Sequence, residues 1–107
     1  MDTSEYDQLY IRNGNSGTLR PGATREQAER MFARMNAVKR AERTKYRDGT
    51  TAREFIDGLI AAGYTTFYRK GRWGNLCKDN VIYPIGRSVE LDYILVALNQ
   101  GKMEKNY

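Results

Sequence analysis

Five cationic side chains fall within nine residues near the middle of the chain, and their charge and spacing suit them to binding an anion. They are Lys39, Arg40, Arg43, Lys45 and Arg47, in the stretch AVKRAERTKYRDG. In a helix, Arg40, Arg43 and Arg47 would share one side because they follow i, i+3, i+7 spacing. Guanidinium groups bind phosphate or carboxylate through paired hydrogen bonds, so this side could hold a polyanion. Cations near a helix C-terminus also stabilise the helix itself, and this structural interpretation stays open.

A second basic cluster surrounds a glycine in the stretch TFYRKGRWGN, residues 66–75. Arg69, Lys70 and Arg72 flank Gly71, and Trp73 follows them. Proteins often hold single-stranded nucleic acid by stacking bases on aromatic side chains beside a basic track. The alternative is an ordinary solvated turn whose aromatic neighbours pack in a core. We therefore expect Lys45 and Lys70, together with the arginines of both clusters and Trp73, to form the binding surface if there is one.

A basic hairpin that follows two helices is the order found in winged-helix DNA-binding domains, which this segment distantly resembles. The resemblance implies that the helix before the hairpin, AREFIDGLIAAG (52–63), would read DNA. That helix departs from the pattern because Arg53 is its only basic residue. A recognition helix needs several side chains that reach bases and phosphates. The departure therefore weakens the expectation of sequence-specific reading.

The composition excludes several kinds of catalysis. The chain has no histidine, which removes Ser-His-Asp and Cys-His nucleophile systems and nearly all zinc sites. Its single cysteine, Cys77, cannot form an intramolecular disulfide, and we expect it to be a small core residue. The glycine stretch GNSG (14–17) lacks the strand and helix that would make it a phosphate loop. We expect a non-enzymatic protein without cofactor or metal, with a histidine-free enzyme as a less favoured alternative.

The net charge of +5 is unevenly distributed along the 107 residues. Residues 23–49 carry +4 and residues 50–87 carry +3, whereas residues 1–22 and 88–107 carry −1 each. A basic body of this kind favours nucleic acid or an acidic protein surface as a partner, although lysine and arginine also simply solubilise helices. The acidic, polar start MDTSEYDQLY and the lack of a long apolar run predict a cytoplasmic protein without a membrane segment.

Two helices are predicted from capping signals and apolar periodicity. Thr24 and Gln27 form a capping box at the start of a helix expected to run over residues 24–48. Thr51 and Glu54 form a second capping box almost immediately afterwards. The short connection predicts that the two helices pack as neighbours.

The remaining elements are predicted to be mostly extended. Gln8–Arg12 is a candidate strand followed by an Asn-Gly turn, and the residues up to 22 are expected to be loop. An antiparallel meander is predicted from three runs rich in β-branched and aromatic residues, YTTFYRK, RWGNLC and VIYPI. Pro84 lacks a backbone donor and should therefore lie at the edge or end of its strand.

A last helix is expected to begin at a Ser88 cap and to end at Gly101, packed on the sheet. The predicted fold is a single α+β domain with two N-terminal helices, a three-stranded antiparallel meander and a C-terminal helix. It would occupy residues 23–101, with a polar arm at 1–22 and a polar tail at 102–107.

Two functions remain open from the sequence. The favoured one is a small, non-catalytic, nucleic-acid-associated protein that binds through phosphate contacts with little base specificity. The alternative is a protein-binding inhibitor or adaptor, of the kind that phages carry against host defence complexes, which uses the same basic, Tyr-rich surface. The stripe Met31, Met35 and Val38 could serve a homodimer as well as a core.

Overall fold

The computed structural model describes residues 4–106, so three residues of the predicted polar arm and the last residue of the predicted tail lie outside the described range. The fold is α+β, as expected, and its described part contains four helices and two sheets. The helices are α1 (Ser4–Leu9), α2 (Arg25–Arg43), α3 (Ala52–Ala61) and α4 (Ser88–Asn99). The strands are β1 (Tyr10–Asn13), β2 (Ser16–Leu19), β3 (Thr66–Lys70), β4 (Trp73–Lys78), β5 (Val81–Ile85) and β6 (Glu104–Lys105). The described residues divide into two compact units, with the boundary between Asn36 and Ala37.

The N-terminal unit contains a β-hairpin in place of the single predicted strand. β1 and β2 pair antiparallel, with Asn13 opposite Ser16, and Gly14 takes the positive φ of +62° that the turn requires. The predicted strand therefore starts two residues too early, and part of the predicted loop is a strand. The first three residues of β2 are Ser, Gly and Thr, and Leu19 is its one large apolar residue, so the local sequence gives no alternating apolar signal. The strand forms through its pairing with β1.

Helix α2 starts as predicted and ends five residues early. The predicted capping box is present, because the Thr24 amide donates to Gln27 Oε1 at 2.9 Å and the Gln27 amide donates to Thr24 Oγ1 at 3.1 Å. At the other end, Thr44 Oγ1 donates to the Arg40 carbonyl at 2.8 Å, and Lys45 then pairs with Thr51 in an isolated β-bridge. The prediction that the helix extends to residue 48 is therefore wrong. Arg47 lies in a turn, so it does not continue a helical row with Arg40 and Arg43.

The larger sheet has four strands in the order β5-β4-β3-β6. β3, β4 and β5 form the predicted antiparallel meander, and Pro84 lies in the edge strand β5. The fourth strand comes from the segment predicted to be a polar tail, and it pairs parallel to β3. Its backbone is held by the Glu104 amide, which donates to the Thr65 carbonyl at 2.8 Å, and by the Asn106 amide, which donates to the Phe67 carbonyl at 2.8 Å.

The core of the C-terminal unit lies between one face of this sheet and the helices. It includes the fully buried side chains Ile56, Leu76, Ile85 and Ile94. Close packing depends on Gly74, because a Cβ placed there would lie 2.6 Å from Cδ2 of Leu91 in α4 and 2.6 Å from Cε1 of Phe67.

The start of α4 differs from the prediction. Arg87 is the N-cap residue and its side chain makes no capping hydrogen bond, whereas Ser88 is the first helical residue. The Ser88 hydroxyl instead accepts a hydrogen bond from Arg40 Nη2 at 3.1 Å. The prediction that Ser88 caps the helix is therefore wrong, because Ser88 is its first helical residue and Arg87 occupies the cap position.

The opposite face of the sheet is more accessible. Because side chains alternate along a strand, Lys70, Trp73, Cys77 and Ile82 project away from the buried side chains Phe67 and Leu76. Cys77 is half-buried on this face, so the prediction that it is a core residue is wrong. Trp73 is 57% exposed and Ile82 is 53% exposed. Among the described helices, none combines the length and apolar character needed to cross a membrane.

Candidate functional site

A groove of about 550 Å³ lies where the loop after α2, the edge strand β5 and the start of α4 meet. We call it the basic groove, since three of its side chains are Lys45, Arg47 and Arg87. Its other lining residues are Tyr46, Asp48, Phe55, Tyr83, Pro84, Ile85 and Glu90. The groove thus joins two cations predicted from the sequence to a third that was not, and places all three beside aromatic rings.

The loop that carries Lys45 and Arg47 is closed by its own hydrogen bonds. The Tyr46 amide donates to the Thr50 carbonyl at 2.9 Å, and the Gly49 amide donates to the Tyr46 carbonyl at 3.0 Å. Gly49 has a φ of +85°, which an L-residue with a side chain adopts at a cost. The Thr50 hydroxyl and amide both donate to Asp48, and they lower the pKa of its carboxyl group. The loop is therefore a defined turn that presents its cations outward.

Tyr46 anchors this loop to helix α4. Its hydroxyl donates to Oε2 of Glu90, whose residue surface is only 6% exposed. Burial, together with the neighbouring Glu90 carboxylate, raises the pKa of Tyr46 well above its ordinary value. The Arg87 guanidinium carbon lies 5.1 Å from the centroid of the Tyr46 ring, which is cation–π distance. Arg87 is therefore held over the groove by an aromatic face, with no carboxylate needed to position it.

Aromatic rings continue from Tyr46 across the groove. The Tyr46 and Phe55 centroids are 5.9 Å apart at 88°, and those of Phe55 and Tyr83 are 5.7 Å apart at 63°. Tyr64 extends the row, with its centroid 6.1 Å from that of Tyr83. Tyr83 is the most accessible large side chain of the row, at 38% exposed. The groove therefore offers an aromatic surface between positive charges.

The ion pairs separate the predicted cations into two groups. Arg40 Nη1 lies 3.5 Å from Asp92 Oδ2, so its charge is partly compensated. Within the described part of the chain, no ion pair involves Lys45, Arg47, Arg69, Lys70, Arg72 or Arg87. No described carboxylate therefore lies within ion-pair distance of these six cations.

Arg40 and Arg43 do not line the groove. Arg40 reaches Ser88, the residue next to Arg87, and so lies beside the groove wall at the start of α4. Arg43 Nε turns back to the Lys39 carbonyl at 3.3 Å. The proposed common row of Arg40, Arg43 and Arg47 is therefore replaced by a different grouping, in which Arg47 joins Lys45 and Arg87.

The second predicted cluster, which we call the Trp73 turn (residues 69–73), contacts the residue that precedes Arg87. A Cβ placed at Gly86 would lie 2.2 Å from Cζ3 of Trp73, so the indole rests directly on the backbone that precedes Arg87. Arg69 Nε donates to the Gly71 carbonyl at 3.3 Å across the turn. The residue pair 86–87 therefore connects the Trp73 turn with the wall of the basic groove.

The carboxylates near the start of α3 have structural partners. Glu54 completes the predicted capping box with Thr51. Asp57 Oδ1 accepts a hydrogen bond from the Tyr93 hydroxyl at 2.7 Å, and Asp57 Oδ2 lies 3.6 Å from Arg53 Nε. Burial, followed by the hydrogen bond to Asp57, raises the pKa of Tyr93 to about 12. In the described range, no group of three or more Cys, Asp or Glu side chains is arranged to hold a metal ion.

Sequence reasoning missed Arg87, Tyr83 and Glu90 as members of the site. Arg87 stands alone in VIYPIGRS and forms no local cluster, and Tyr83 looks like an ordinary strand residue. A usable signal was the proline in an edge strand followed by Gly-Arg, since an edge strand and its following turn are accessible to ligands. No family model, curated protein or solved structure matches the chain.

Proposed function

We propose that the protein is a small, non-catalytic nucleic-acid-binding protein that holds its ligand in the basic groove. The observation that carries the proposal is the grouping of Lys45, Arg47 and Arg87, which have no ion pair in the described residues, around the exposed ring of Tyr83. Arginine binds phosphate through two parallel hydrogen bonds, and lysine binds it as a point charge. Aromatic rings bind bases without strong preference among them. Binding would therefore depend on charge and have little base specificity.

The groove also contains two carboxylates, Asp48 and Glu90, so its three cations leave it a formal charge of +1, and both carboxylates accept hydrogen bonds from protein donors. Glu90 is buried and accepts the Tyr46 hydroxyl, so it faces a protein donor. Asp48 accepts two hydrogen bonds from Thr50, and its exposed position leaves it screened by solvent. The three cations are the groups free to move toward a ligand.

The test is a titration of fluorescently labelled single- and double-stranded oligonucleotides, followed by anisotropy at several salt concentrations. The double variant Lys45→Gln/Arg47→Gln should bind more weakly. For this variant, the slope of log K against the logarithm of the salt concentration should be shallower by about 1.4, since each cation that contacts a single strand contributes roughly 0.7 to that slope.

A matched control carries the same change in net charge elsewhere. Arg25 and Arg30 are exposed residues of α2 that pair with Glu29 and Glu26 and do not line the groove. The variant Arg25→Gln/Arg30→Gln should keep most of the affinity and the salt slope. An equal loss in both double variants would mean that total charge, and not the groove, attracts the ligand. Absence of binding by the unsubstituted protein at low salt would refute the proposed function.

A second candidate function is the capture of an acidic, extended protein segment by strand β5. Val81 and Ile82 lie in the edge strand β5 and are each 53% exposed. An edge strand can pair with an added strand from a partner. The cations of the basic groove lie along the same edge and would attract an acidic segment, as an inhibitor or adaptor of the predicted kind would require.

A synthetic peptide with alternating glutamate and valine is a suitable probe for this second candidate. The unsubstituted protein should bind it, and Ile82→Thr, which keeps the β-branched shape but adds a hydroxyl, should weaken that binding. The same variant should leave oligonucleotide binding in the groove unchanged. If oligonucleotides bind and the peptide does not, the nucleic-acid function stands alone.

A further inference from the structure

We propose that Trp73 stacks on an unpaired base, so that the ligand of this protein is single-stranded nucleic acid and not a duplex. This inference rests on the proposed function and makes it more specific. In a duplex, base faces are covered by their neighbours in the stack, whereas an unpaired base offers its face to an aromatic side chain.

The position of the indole supports a stacking role. Trp73 is 57% exposed, which is unusual for the largest apolar side chain. Its six-membered ring lies against Gly86, where a Cβ would be 2.2 Å from Cζ3 and 2.7 Å from Cε3. Because Gly86 has no side chain, the indole ring of Trp73 packs directly on the backbone. This contact restrains the ring and still leaves more than half of Trp73 accessible.

The charges around the indole identify the chemistry of the occupant. Lys70 pairs with Trp73 in the sheet register, Arg72 precedes it, and Arg87 follows Gly86. None of the three forms an ion pair within the described part of the protein. An apolar protein partner would leave these cations desolvated and unpaired, which is costly. A nucleotide suits both the exposed indole and the cations around it, because its flat base can stack on the ring and its phosphate can pair with a cation.

The same residues also link this stacking position to the basic groove. Arg87 lies over Tyr46 in the groove wall, and the residue before it supports Trp73. Trp73 lies on the accessible face of the sheet, whereas Tyr83 of the groove shares the face of the buried Leu76 with which it pairs. A single strand that contacts both would therefore pass over the sheet edge at Gly86 and Arg87.

The experiment uses the fact that Trp73 is the single tryptophan of the chain, so intrinsic tryptophan fluorescence reports on this position alone. The protein is titrated with oligo(dT), with an abasic deoxyribose-phosphate oligomer of the same length, and with a duplex of the same length. Anisotropy of labelled ligand is measured in parallel. We expect oligo(dT) to quench the tryptophan emission and the abasic oligomer to bind more weakly without quenching. The duplex should leave the emission unchanged.

Two variants complete the test. Trp73→Ala should weaken oligo(dT) binding about 5- to 150-fold, the range that corresponds to the loss of one base stack. It should not alter the salt slope, because no cation is removed. Gly86→Ala keeps Trp73 and every charge but places a methyl group where the indole ring lies, so it should also weaken oligo(dT) binding and shift the emission of the free protein.

The outcomes separate this inference from the proposed function. Binding of oligo(dT) without quenching, with Trp73→Ala binding equally well, would overturn the stacking inference and leave the proposed function in place. Equal quenching by the duplex would also overturn it, since base faces would not be what Trp73 contacts. Quenching by the alternating acidic peptide, without any oligonucleotide binding, would refute both. The circular dichroism spectrum of Trp73→Ala is compared with that of the unsubstituted protein, so that a loss of binding can be distinguished from a loss of fold.

Discussion

Replacing Tyr46 with phenylalanine would remove one oxygen atom and leave the Glu90 carboxylate buried without its hydroxyl donor. Glu90 is 6% exposed, and among the described residues the Tyr46 hydroxyl is the side-chain donor to its Oε2. A hydrogen bond to a charged group contributes about 1.5–3 kcal/mol, and a buried acceptor left unpaired loses that full amount. We expect Tyr46→Phe to lower the free energy of unfolding by about 2–3 kcal/mol at pH 7. That is a large share of the stability of a small domain.

Urea unfolding followed by circular dichroism measures this loss. With a typical slope of about 1–3 kcal/mol per molar urea, the midpoint should fall by roughly 0.7–3 M. Tyr83→Phe is the matched control, because it removes a hydroxyl from another ring of the basic groove that makes no hydrogen bond in the described structure. Its unfolding free energy should stay within about 0.5 kcal/mol of the unsubstituted protein.

A second background tests whether the charge of Glu90 is the cause. In Glu90→Gln the acceptor is neutral, so adding Tyr46→Phe should cost only about 1 kcal/mol. If Tyr46→Phe costs less than about 0.5 kcal/mol, or costs the same in both backgrounds, the argument that a buried carboxylate holds the loop is refuted.

Three further predictions concern stability, each measured by the urea midpoint. Gly74→Ala should destabilise the protein by about 1–3 kcal/mol, because its Cβ would lie 2.6 Å from Cδ2 of Leu91 in the packed core, and an unchanged midpoint would contradict this. Gly58→Ala should stabilise it by about 0.5–1 kcal/mol, since the residue is inside α3 and nothing lies within 4 Å of the added methyl; a lower midpoint would count against that reasoning. In the folded protein the pKa of Tyr93 is raised to about 12, whereas in the unfolded chain it stays near its ordinary value of about 10. The unfolded chain therefore releases the phenolic proton first, so the stability that Tyr93 contributes is complete below about pH 10 and is lost as the pH rises towards 12. Tyr93→Phe should therefore reduce the fall in midpoint between pH 9 and pH 11, and an identical fall in both proteins would disprove the assignment.

The parts of the fold that were predicted correctly have signals confined to a few neighbouring residues. The capping boxes at Thr24 and Thr51 depend on a partner three residues away, and both are present. The meander is visible because β-branched and aromatic runs alternate with turn residues. The early end of α2 is different, since it depends on Lys45 pairing with Thr51 across a loop. Strand β6 is different in the same way, because Glu104 becomes a strand residue only through its pairing with Thr66.

The sequence predicted which cations are accessible but not how they are grouped, and their role in binding stays a prediction. The sequence indicated accessible cations, and Lys45, Arg47 and Arg72 carry no internal ion pair in the described range. It could not indicate that Arg87, some 40 positions away in the chain, completes the group, because that proximity is created by tertiary packing of Tyr46 on α4. Helical spacing predicted that Arg47 lies beside Arg40 and Arg43, but α2 ends at Arg43, so this spacing does not apply to Arg47.

The parallel strand β6 has a consequence for the protein during its synthesis. β3 is complete at Lys70, but the strand that covers its outer edge begins at Glu104, more than 30 residues later. At about 5–20 residues per second, a ribosome needs roughly 2–7 s to supply those residues. Until those residues arrive, the edge of β3 that pairs with β6 stays open, and unpaired edges are where partly folded chains associate. The charged pair Arg69 and Lys70, at the end of β3, would discourage such association until the last strand arrives.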